Sequence, residues 1–263
     1  MMLRPVLQYP GSKWKLRNEL YKYVPQGTKR IVSPFLGSGA FELHCYNQGL
    51  IVQGSDIFKD LVNFWERLIH DNAELYREAS KYLYYDARDF DAVLCSYNHS
   101  ASIESAAKLI VLSHISYAGR LTSMRGVKDR GQRDSFNLSR ASRILAFGKL
   151  DKKRFSVSSD DVFNVLRHCH DSETTLYLDP PYLGNDDMYG FGDNPLFDHE
   201  RLQGCLALTR NWILSYKDSP AIRELYSDFV IESVSVGGNA PAMGNQKQSA
   251  TGEILILSRE IAS

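Results

Sequence analysis

The hydrophobic residues of the first seventy positions fall into short blocks with strand-like and helix-like spacing in turn. Residues 30–35 form a short apolar block typical of a buried strand, and a glycine-containing turn at residues 37–39 leads into the apolar residues 40–46. A second strand is predicted at residues 50–54. A helix should follow it, because apolar residues recur there with helical spacing at Leu61, Phe64, Trp65, Leu68 and Ile69.

The same alternation resumes after a long interval with a different pattern. Residues 71–118 are mainly helical in pattern, and residues 119–143 lose apolar periodicity and fill with Gly, Ser, Asp and Arg, which predicts an irregular loop. Regular structure then returns as an amphipathic helix at about residues 161–168 and as strands. The strands are predicted at residues 155–157, 174–178, 212–215, 229–236 and 253–257.

Strands alternating with helices predict an α/β fold with a doubly wound sheet. The helical and basic residues 58–150 interrupt this alternation. We therefore expect one sheet-containing domain from residues 1–57 and 151–263, with a mainly helical region inserted between them and a basic loop at residues 119–143.

Composition and charge refine this picture. With 263 residues and 43% hydrophobic content, the chain can bury a substantial core. No apolar run approaches the roughly 18 residues that span a bilayer, and residues 1–15 turn polar too early for a secretory signal. A cytoplasmic location without membrane attachment is the expectation.

The formal net charge of zero hides an uneven distribution. Residues 119–154 carry eleven Lys or Arg against three Asp, a net charge of +8, and residues 1–30 carry a net charge of +6. The remainder is therefore strongly acidic. A basic stripe of this kind suits nucleic-acid phosphates, although a solvated charged face is the alternative for any single basic run.

Cysteine and histidine spacing gives no sign of a metal or disulfide framework. The four cysteines stand far apart without a CxxC pair. Residues 168–170 read His-Cys-His, but adjacent side chains point in different directions and no fourth ligand accompanies them. No metal is expected.

Two features predict a nucleoside site. The strand at residues 30–35 leads into a helix through a turn where glycines permit the close approach of a ligand, at Phe35, Gly37, Ser38 and Gly39. Asp56 follows the next strand, where a carboxylate can accept hydrogen bonds from both ribose hydroxyls. Glycines also form ordinary tight turns, and the pair of features does not choose between a dinucleotide and S-adenosylmethionine.

The strand at residues 174–178 ends in Asp179-Pro180-Pro181-Tyr182. Consecutive prolines fix φ and supply no backbone N–H, so the turn is stiff and its carbonyls are free to accept. The Asp179 carboxylate and the Pro180 carbonyl can accept both N–H groups of an exocyclic amine, which directs the nitrogen lone pair towards a methyl donor. Tyr182 can stack on a base removed from its duplex. A rigid turn without catalysis is the alternative.

The order of these motifs resembles the Dam-type (alpha-group) family of adenine-specific DNA methyltransferases over nearly the whole chain. Its blocks match residues 8–13, 34–41, 55–61, 179–182, 197–202 and 213–218. The resemblance implies a Rossmann-like methyltransferase sheet with an inserted helical DNA-recognition lobe. It also implies site-specific transfer of a methyl group from S-adenosylmethionine to the N6 amine of a flipped adenine in double-stranded DNA, with S-adenosylhomocysteine as product.

The resemblance also implies roles for individual residues. Tyr9, Gly11 and Lys13 would help to hold the cofactor, with Lys13 on the methionine carboxylate. Asp179 would touch the cofactor as well. Asp161 stands where the family often has an acidic residue near the cofactor adenine, although Asp160 can serve instead and either can cap a helix.

DNA recognition would involve the basic loop. The family pattern is retained at Tyr117, Gly119, Arg120, Phe136 and Asn137. The segment between Arg120 and Phe136 is longer and more basic than expected, so the resemblance does not imply which DNA sequence is recognised. The candidate DNA-binding residues are Arg120, Arg125, Lys128, Arg130, Arg133 and Asn137.

Other functions remain open from the sequence alone. A proline-rich acceptor turn also suits methylation of an RNA base or of a protein amide. A catalytically silent DNA-binding module is a non-enzymatic alternative. A cognate restriction endonuclease is a possible partner.

Overall fold

The computed structural model describes residues 2–116, 119, 121, 135–168, 171–183, 197–234 and 252–262. Within them, seven strands form one sheet: β1 (Arg30–Ser33), β2 (Ile51–Ser55), β3 (Phe155–Ser158), β4 (Thr174–Leu178), β5 (Trp212–Lys217), β6 (Val230–Val234) and β7 (Glu253–Leu257). The helices are α1 (Arg17–Tyr21), α2 (Ala40–Asn47), α3 (Lys59–His70), α4 (Asn72–Ser80), α5 (Phe90–Cys95), α6 (Ile103–Ile115), α7 (Leu138–Ala146), α8 (Val162–His168), α9 (His199–Leu206), α10 (Pro220–Leu225) and α11 (Arg259–Ala262).

The strand order is β3-β2-β1-β4-β5-β7-β6. The first five strands in this order pair in parallel, and β7 runs antiparallel to both of its neighbours. The order reverses direction between β1 and β4. In an open α/β sheet, ligands bind at the carboxyl ends of the strands beside such a reversal. The predicted α/β class with a doubly wound sheet is confirmed.

Burial explains why these segments became strands. All five residues of β4 are buried, as expected for a parallel strand with both faces covered. The edge strand β6 is different, because only Val234 of its five residues is buried. A continuous run of buried residues therefore marks the centre of the sheet.

The glycine turn between β1 and α2 depends on a tryptophan from α3. Gly39 has φ +63°, a left-handed conformation that favours glycine, and a Cβ added there would lie 2.5 Å from Cζ2 of Trp65. The Trp65 indole Nε1 donates a hydrogen bond to the Gly37 carbonyl at 3.0 Å. The buried Trp65 side chain thus supports the turn through a hydrogen bond and through close packing.

The helices α3 to α7 form the connection from β2 to β3. The helix α3 packs against the sheet, since Trp65 stacks on Phe155 of β3 with ring centroids 5.5 Å apart. The helix α4 packs on both α6 and α7. This connection corresponds to the predicted helical insertion, whose domain boundaries at residues 58 and 150 stay a prediction.

The N-terminal segment lies on α6. The Gln8 N–H donates to Ser113 Oγ at 3.3 Å, and Nε2 of the buried His114 lies 2.9 Å from the Val6 carbonyl oxygen. Gly119, with φ +77°, sits so close that a Cβ would collide with the Gln8 carbonyl. The start of the basic loop is therefore packed against the segment that leads to Tyr9.

The described residues contain no cluster of side chains suited to holding a metal ion, and Cys169 and His170 of the His-Cys-His sequence lie outside them. Nor do they contain a helix with the length and apolar character needed to cross a membrane.

Candidate active site

A cavity of about 350 Å³ opens at the carboxyl edge of the sheet, beside the reversal of strand order. It brings together the glycine turn after β1, Asp56 after β2 and Asp179 after β4. The predicted site residues that line it are Tyr9, Gly11, Lys13, Phe35, Gly37, Ser38, Asp56, Asp161, Asp179 and Pro181. Gly39, Pro180 and Tyr182 are buried beside it and are not among its lining residues.

An ion pair joins the N-terminal segment to the end of β4. The Lys13 ammonium donates to Asp179 Oδ1 at 2.8 Å and Oδ2 at 2.7 Å, and to the Gly11 carbonyl at 2.8 Å. The Lys13 side chain is 4% exposed and that of Asp179 is 21% exposed. These three bonds use all three ammonium hydrogens, so Lys13 must exchange a partner before it can bind a ligand carboxylate.

Neutral donors complete the surroundings of Asp179. Ser215 Oγ donates to Asp179 Oδ1 at 2.9 Å, and the Tyr182 hydroxyl lies 3.3 Å from the same oxygen. The carboxylate is therefore held in one orientation from several directions. These contacts come from Lys13 of the N-terminal segment, Ser215 of β5 and Tyr182, three positions after Asp179.

Glu253, the first residue of β7, also joins this network, and it was missed from the sequence. The Tyr182 hydroxyl donates to Glu253 Oε2 at 2.7 Å. Burial raises the pKa of Glu253, and burial together with the nearby carboxylates raises the pKa of Tyr182 well above its ordinary value. Tyr182 is thus a neutral donor. Pairing between distant strands decides this position, so no local pattern marks it.

The Tyr182 ring does not face the cavity. Tyr182 is 7% exposed, and its ring packs 5.8 Å from that of Tyr216. The Lys13 ammonium lies 5.2 Å from its ring centroid. In this structure the Tyr182 ring is therefore buried among protein side chains.

Asp56, the predicted ribose acceptor, follows β2 and lines the cavity beside the glycine turn. Its carboxylate accepts the Gly37 N–H at 3.1 Å and the Phe58 N–H at 3.0 Å. Burial raises its pKa to about 6, against the opposing effect of these backbone hydrogen bonds. The glycine turn and the acidic residue after the next strand are therefore physically connected.

Of the two acidic candidates near the start of α8, Asp161 lines the cavity. Its carboxylate accepts the Phe163 N–H at 2.8 Å, as in the helix-capping alternative, and its contact with the cofactor adenine stays a prediction. Asp160 accepts from the Asp161 N–H and from the Asn164 side chain and does not line the cavity.

An aromatic cluster forms one wall of the cavity. Phe197 packs edge to face on Phe35 at 5.5 Å and lies parallel to Phe163 at 6.3 Å. The Arg201 guanidinium stands 3.8 Å from the Phe163 ring centroid. The family resemblance covered residues 197–202 without assigning them a role, and Phe163 had no signal beyond its place beside Asp161.

Glu42 is a second acidic residue that the sequence analysis missed. It lies in the first turn of α2, lines the cavity and is 2% exposed. Ser33 Oγ donates to its Oε1 at 2.6 Å, and burial raises its pKa to about 7. The available signal was a glutamate among the mainly apolar residues 40–46.

Five of the six candidate DNA-binding residues lie outside the described residues: Arg120, Arg125, Lys128, Arg130 and Arg133. Asn137 is described: its side-chain oxygen accepts the Arg140 N–H at 3.1 Å and caps α7. Its predicted contact with DNA stays a prediction.

Known proteins resemble this chain along most of its length. It is 24% identical to the type II methyltransferase M1.LlaDCHI of Lactococcus lactis subsp. cremoris, over 96% of this chain and 93% of that protein. It is 21% identical to the type II methyltransferase M.CviBI of Paramecium bursaria Chlorella virus NC1A, over 87% and 88%. It is 24% identical to the DNA adenine methylase of Haemophilus influenzae, over 68% and 64%.

A family model agrees with these similarities and with the cavity. The model described as D12 class N6 adenine-specific DNA methyltransferase matches residues 9–236, which include the glycine turn, Asp56 and the tetrapeptide at residues 179–182. The predicted DNA methyltransferase activity is confirmed. The chain belongs to the D12 class of N6 adenine-specific DNA methyltransferases.

Proposed function

We propose that this adenine-specific DNA methyltransferase takes its methyl group from S-adenosylmethionine and acts on an adenine swung out of duplex DNA, with Asp179 and Pro180 orienting the N6 amine. One observation carries the proposal. Asp179 lines the same cavity as the glycine turn and Asp56, so an amine-orienting group and a nucleoside site share one space.

The residues present fit S-adenosylmethionine. Asp56 is positioned by two backbone N–H groups and retains capacity to accept ribose hydroxyls. Five described carboxyl groups line the cavity against two cationic side chains, which favours a ligand with positive charge. When bound, S-adenosylmethionine supplies a methyl group already activated by its sulfonium. Asp56, Gly37 and Tyr9 would hold its nucleoside part.

Asp179 would act as a hydrogen-bond acceptor rather than as a base that removes a proton before transfer. The adenine N6 is a poor nucleophile because its lone pair is delocalised into the ring. If Asp179 and the Pro180 carbonyl each accept one N–H, the lone pair is directed out of the ring plane. Lys13 and Ser215 keep the carboxylate aligned for this task.

Tyr182 would stack on the target base only after a local rearrangement. Its ring is packed against Tyr216, and its hydroxyl is held by Glu253. We propose that entry of the base moves this side chain, because a flipped base requires an aromatic or apolar surface. Replacing Tyr182 with Phe should preserve stacking, whereas replacing it with Ala should not.

Other partners stay predictions. The basic segments at residues 1–30 and 119–154 would meet DNA phosphates. A cognate restriction endonuclease and a cytoplasmic location rest on the resemblance and on composition.

The test is base-resolved mapping of duplex DNA after incubation with the purified protein and S-adenosylmethionine. We expect N6-methyladenine in a fixed sequence context. Asp179→Asn should reduce the single-turnover rate by about 10²-fold or more, in keeping with the loss of one oriented electrostatic group. Asp171→Asn is the matched control, because Asp171 is exposed near the opposite end of β4. An unchanged rate in Asp179→Asn would contradict the mechanism.

A further inference from the structure

The acidic residues that line the cavity are not equivalent. Asp56, Asp161 and Asp198 each accept a backbone N–H, and Asp179 accepts the Lys13 ammonium. Among these five lining carboxyl groups, Glu42 is set apart, because its hydrogen bond from another residue comes from the neutral Ser33 hydroxyl. It is also 2% exposed.

A carboxylate in such a place is costly for the free protein. Burial of a charge without an opposite charge is unfavourable, because one neutral hydrogen bond replaces only part of its hydration. Lys13 is near enough to act on Glu42, but its ammonium is already committed to Asp179 and Gly11. Among the described residues, Lys13 is the cation that acts on Glu42, and the other cationic side chain of the cavity, Arg201, lies over the Phe163 ring.

The position of Glu42 indicates which part of a ligand could supply that cation. Its carboxyl lies at the end of β1, held by Ser33, and the charges of Asp179 and Lys13 act on it. Asp56, the ribose acceptor, follows β2 on the other side of β1. A ligand with its nucleoside at Asp56 and its opposite end near Asp179 would therefore extend past Glu42.

We infer that Glu42 binds the α-ammonium group of the amino-acid portion of S-adenosylmethionine. An ammonium group offers three donors and a full positive charge, so it complements a buried carboxylate through charge-assisted hydrogen bonds. This inference rests on the proposed function for the identity of the donor. It adds a specificity for ligands that carry a cationic amine at the end remote from the adenine.

The first test compares two ligands that differ in this portion. S-Adenosylhomocysteine carries the amino-acid group without the sulfonium charge, and 5′-methylthioadenosine lacks the amino-acid group. Glu42→Gln should weaken the binding of S-adenosylhomocysteine by about 10-fold or more, as expected for the loss of a charge-assisted pair. It should change the affinity for 5′-methylthioadenosine by less than about 2-fold. Glu19→Gln, a surface glutamate that pairs with Lys22, is the matched control.

The outcomes separate the two proposals. If the wild-type protein binds neither ligand, the proposed methyl donor is wrong. If the wild-type protein binds both ligands and Glu42→Gln weakens the binding of both equally, or of neither, the inference on Glu42 is overturned. Calorimetric titration measures these affinities directly.

A second measurement keeps the inference testable if Glu42→Gln does not fold. The titratable and charged groups that act on Glu42 or feel its charge are Lys13, Asp179, Tyr177 and Cys45. Because burial raises the pKa of Glu42 to about 7, a cation beside it should expel a proton near neutral pH. Wild-type protein at pH 7 should release about half a proton on binding S-adenosylhomocysteine and much less on binding 5′-methylthioadenosine. Equal release with both ligands, measured in buffers of different ionisation enthalpy, would overturn the inference.

Discussion

Lys13 shows how a single side chain sets the electrostatics of this site. Its ammonium lies 2.7 Å from Asp179 Oδ2 and 4.0 Å from Glu253 Oε1. Two carboxyl groups thus depend on one buried cation. Removal of that charge should leave them facing each other with only neutral donors.

Lys13→Met should therefore raise the pKa of Glu253 further, because Glu253 loses the nearby cation that favours its ionised form. The acidic limb of the pH profile of single-turnover methyl transfer should move to higher pH, and the plateau rate should fall about 10²-fold. Lys15→Met provides the control, since Lys15 is exposed two positions away. An unshifted profile would show that Lys13 does not govern ionisation in the site.

Glu42 should make the ligand-free protein less stable as pH rises. The carboxyl has an ordinary pKa of 4.5 and a pKa of about 7 in the folded protein. Between these values the folded state keeps a proton that the unfolded state has released. Its contribution to the free energy of unfolding therefore decreases from about pH 4.5 to pH 7.

Glu42→Gln removes this titration but keeps an acceptor for Ser33. The variant should exceed the wild-type free energy of unfolding by roughly 1 to 3 kcal/mol at pH 8, and the difference should shrink towards pH 5. Urea unfolding of the ligand-free proteins at several pH values measures it. A difference that does not vary with pH would contradict this account.

The residues found from the sequence and those missed differ in a physical way. Asp56 and Asp179 were found because each directly follows an apolar strand, and parallel strands bring their carboxyl ends to one edge. Glu253 is the first residue of its strand, and it reaches the same edge of the sheet because β7 runs antiparallel to β5. Glu42 sits inside a helix, so its side chain reaches the cavity only through the packing of α2 on β1.

At the scale of elements, the turn between β1 and α2 has little freedom to change. Gly39 combines a left-handed backbone with contact against Trp65, whose indole also holds the Gly37 carbonyl. Any side chain at position 39 must displace the Trp65 ring, which supports the glycine turn. If this turn binds the cofactor as proposed, a substitution here should affect stability and ligand binding together.

Gly39→Ala should lower the free energy of unfolding by about 3 kcal/mol, through backbone strain and overpacking together. It should also weaken the binding of S-adenosylhomocysteine. Gly49→Ala is the matched control: Gly49 has φ +105°, but an added Cβ would meet nothing within 4 Å. Thermal unfolding compares the two, and equal losses would mean that the contact with Trp65 contributes nothing.

Strands were easier to predict than their arrangement. The residues of β1, β4 and β5 are mostly buried, because both faces of the sheet are covered, and the apolar residues among them were enough to predict these strands. The reversal of β7 and its place between β5 and β6 left no local trace, since strand direction is decided by long-range pairing. The helical connection from β2 to β3 was predicted, whereas the packing of α3 on the sheet was not.

The whole molecule has no net charge but is electrically polarised. The basic residues 1–30 and 119–154 are balanced by acid elsewhere, including the carboxyl groups of the cavity. DNA binding should therefore depend on salt as for a basic protein, whereas binding of the small ligand should not.

Arg125→Gln combined with Arg130→Gln should weaken DNA binding and reduce the slope of log K against log salt by about 1 to 2. Affinity for S-adenosylhomocysteine should stay unchanged. Arg88→Gln combined with Arg223→Gln is the control, because these arginines pair with Asp86 and Asp218. Fluorescence anisotropy at several salt concentrations makes the comparison, and an identical slope in both double variants would refute a role for the loop charges.

The direction of β7 has a consequence for the timing of biosynthesis. Lys13 and Asp179 are 166 positions apart, and Tyr182 and Glu253 are a further 71 positions apart. The ribosome therefore synthesises Lys13, Asp179 and Tyr182 well before it synthesises β7, whose Glu253 accepts the hydrogen bond from the Tyr182 hydroxyl. A nascent chain arrested before residue 253 should hold Tyr182 loosely and methylate poorly, so the enzyme would become competent only late in its own translation.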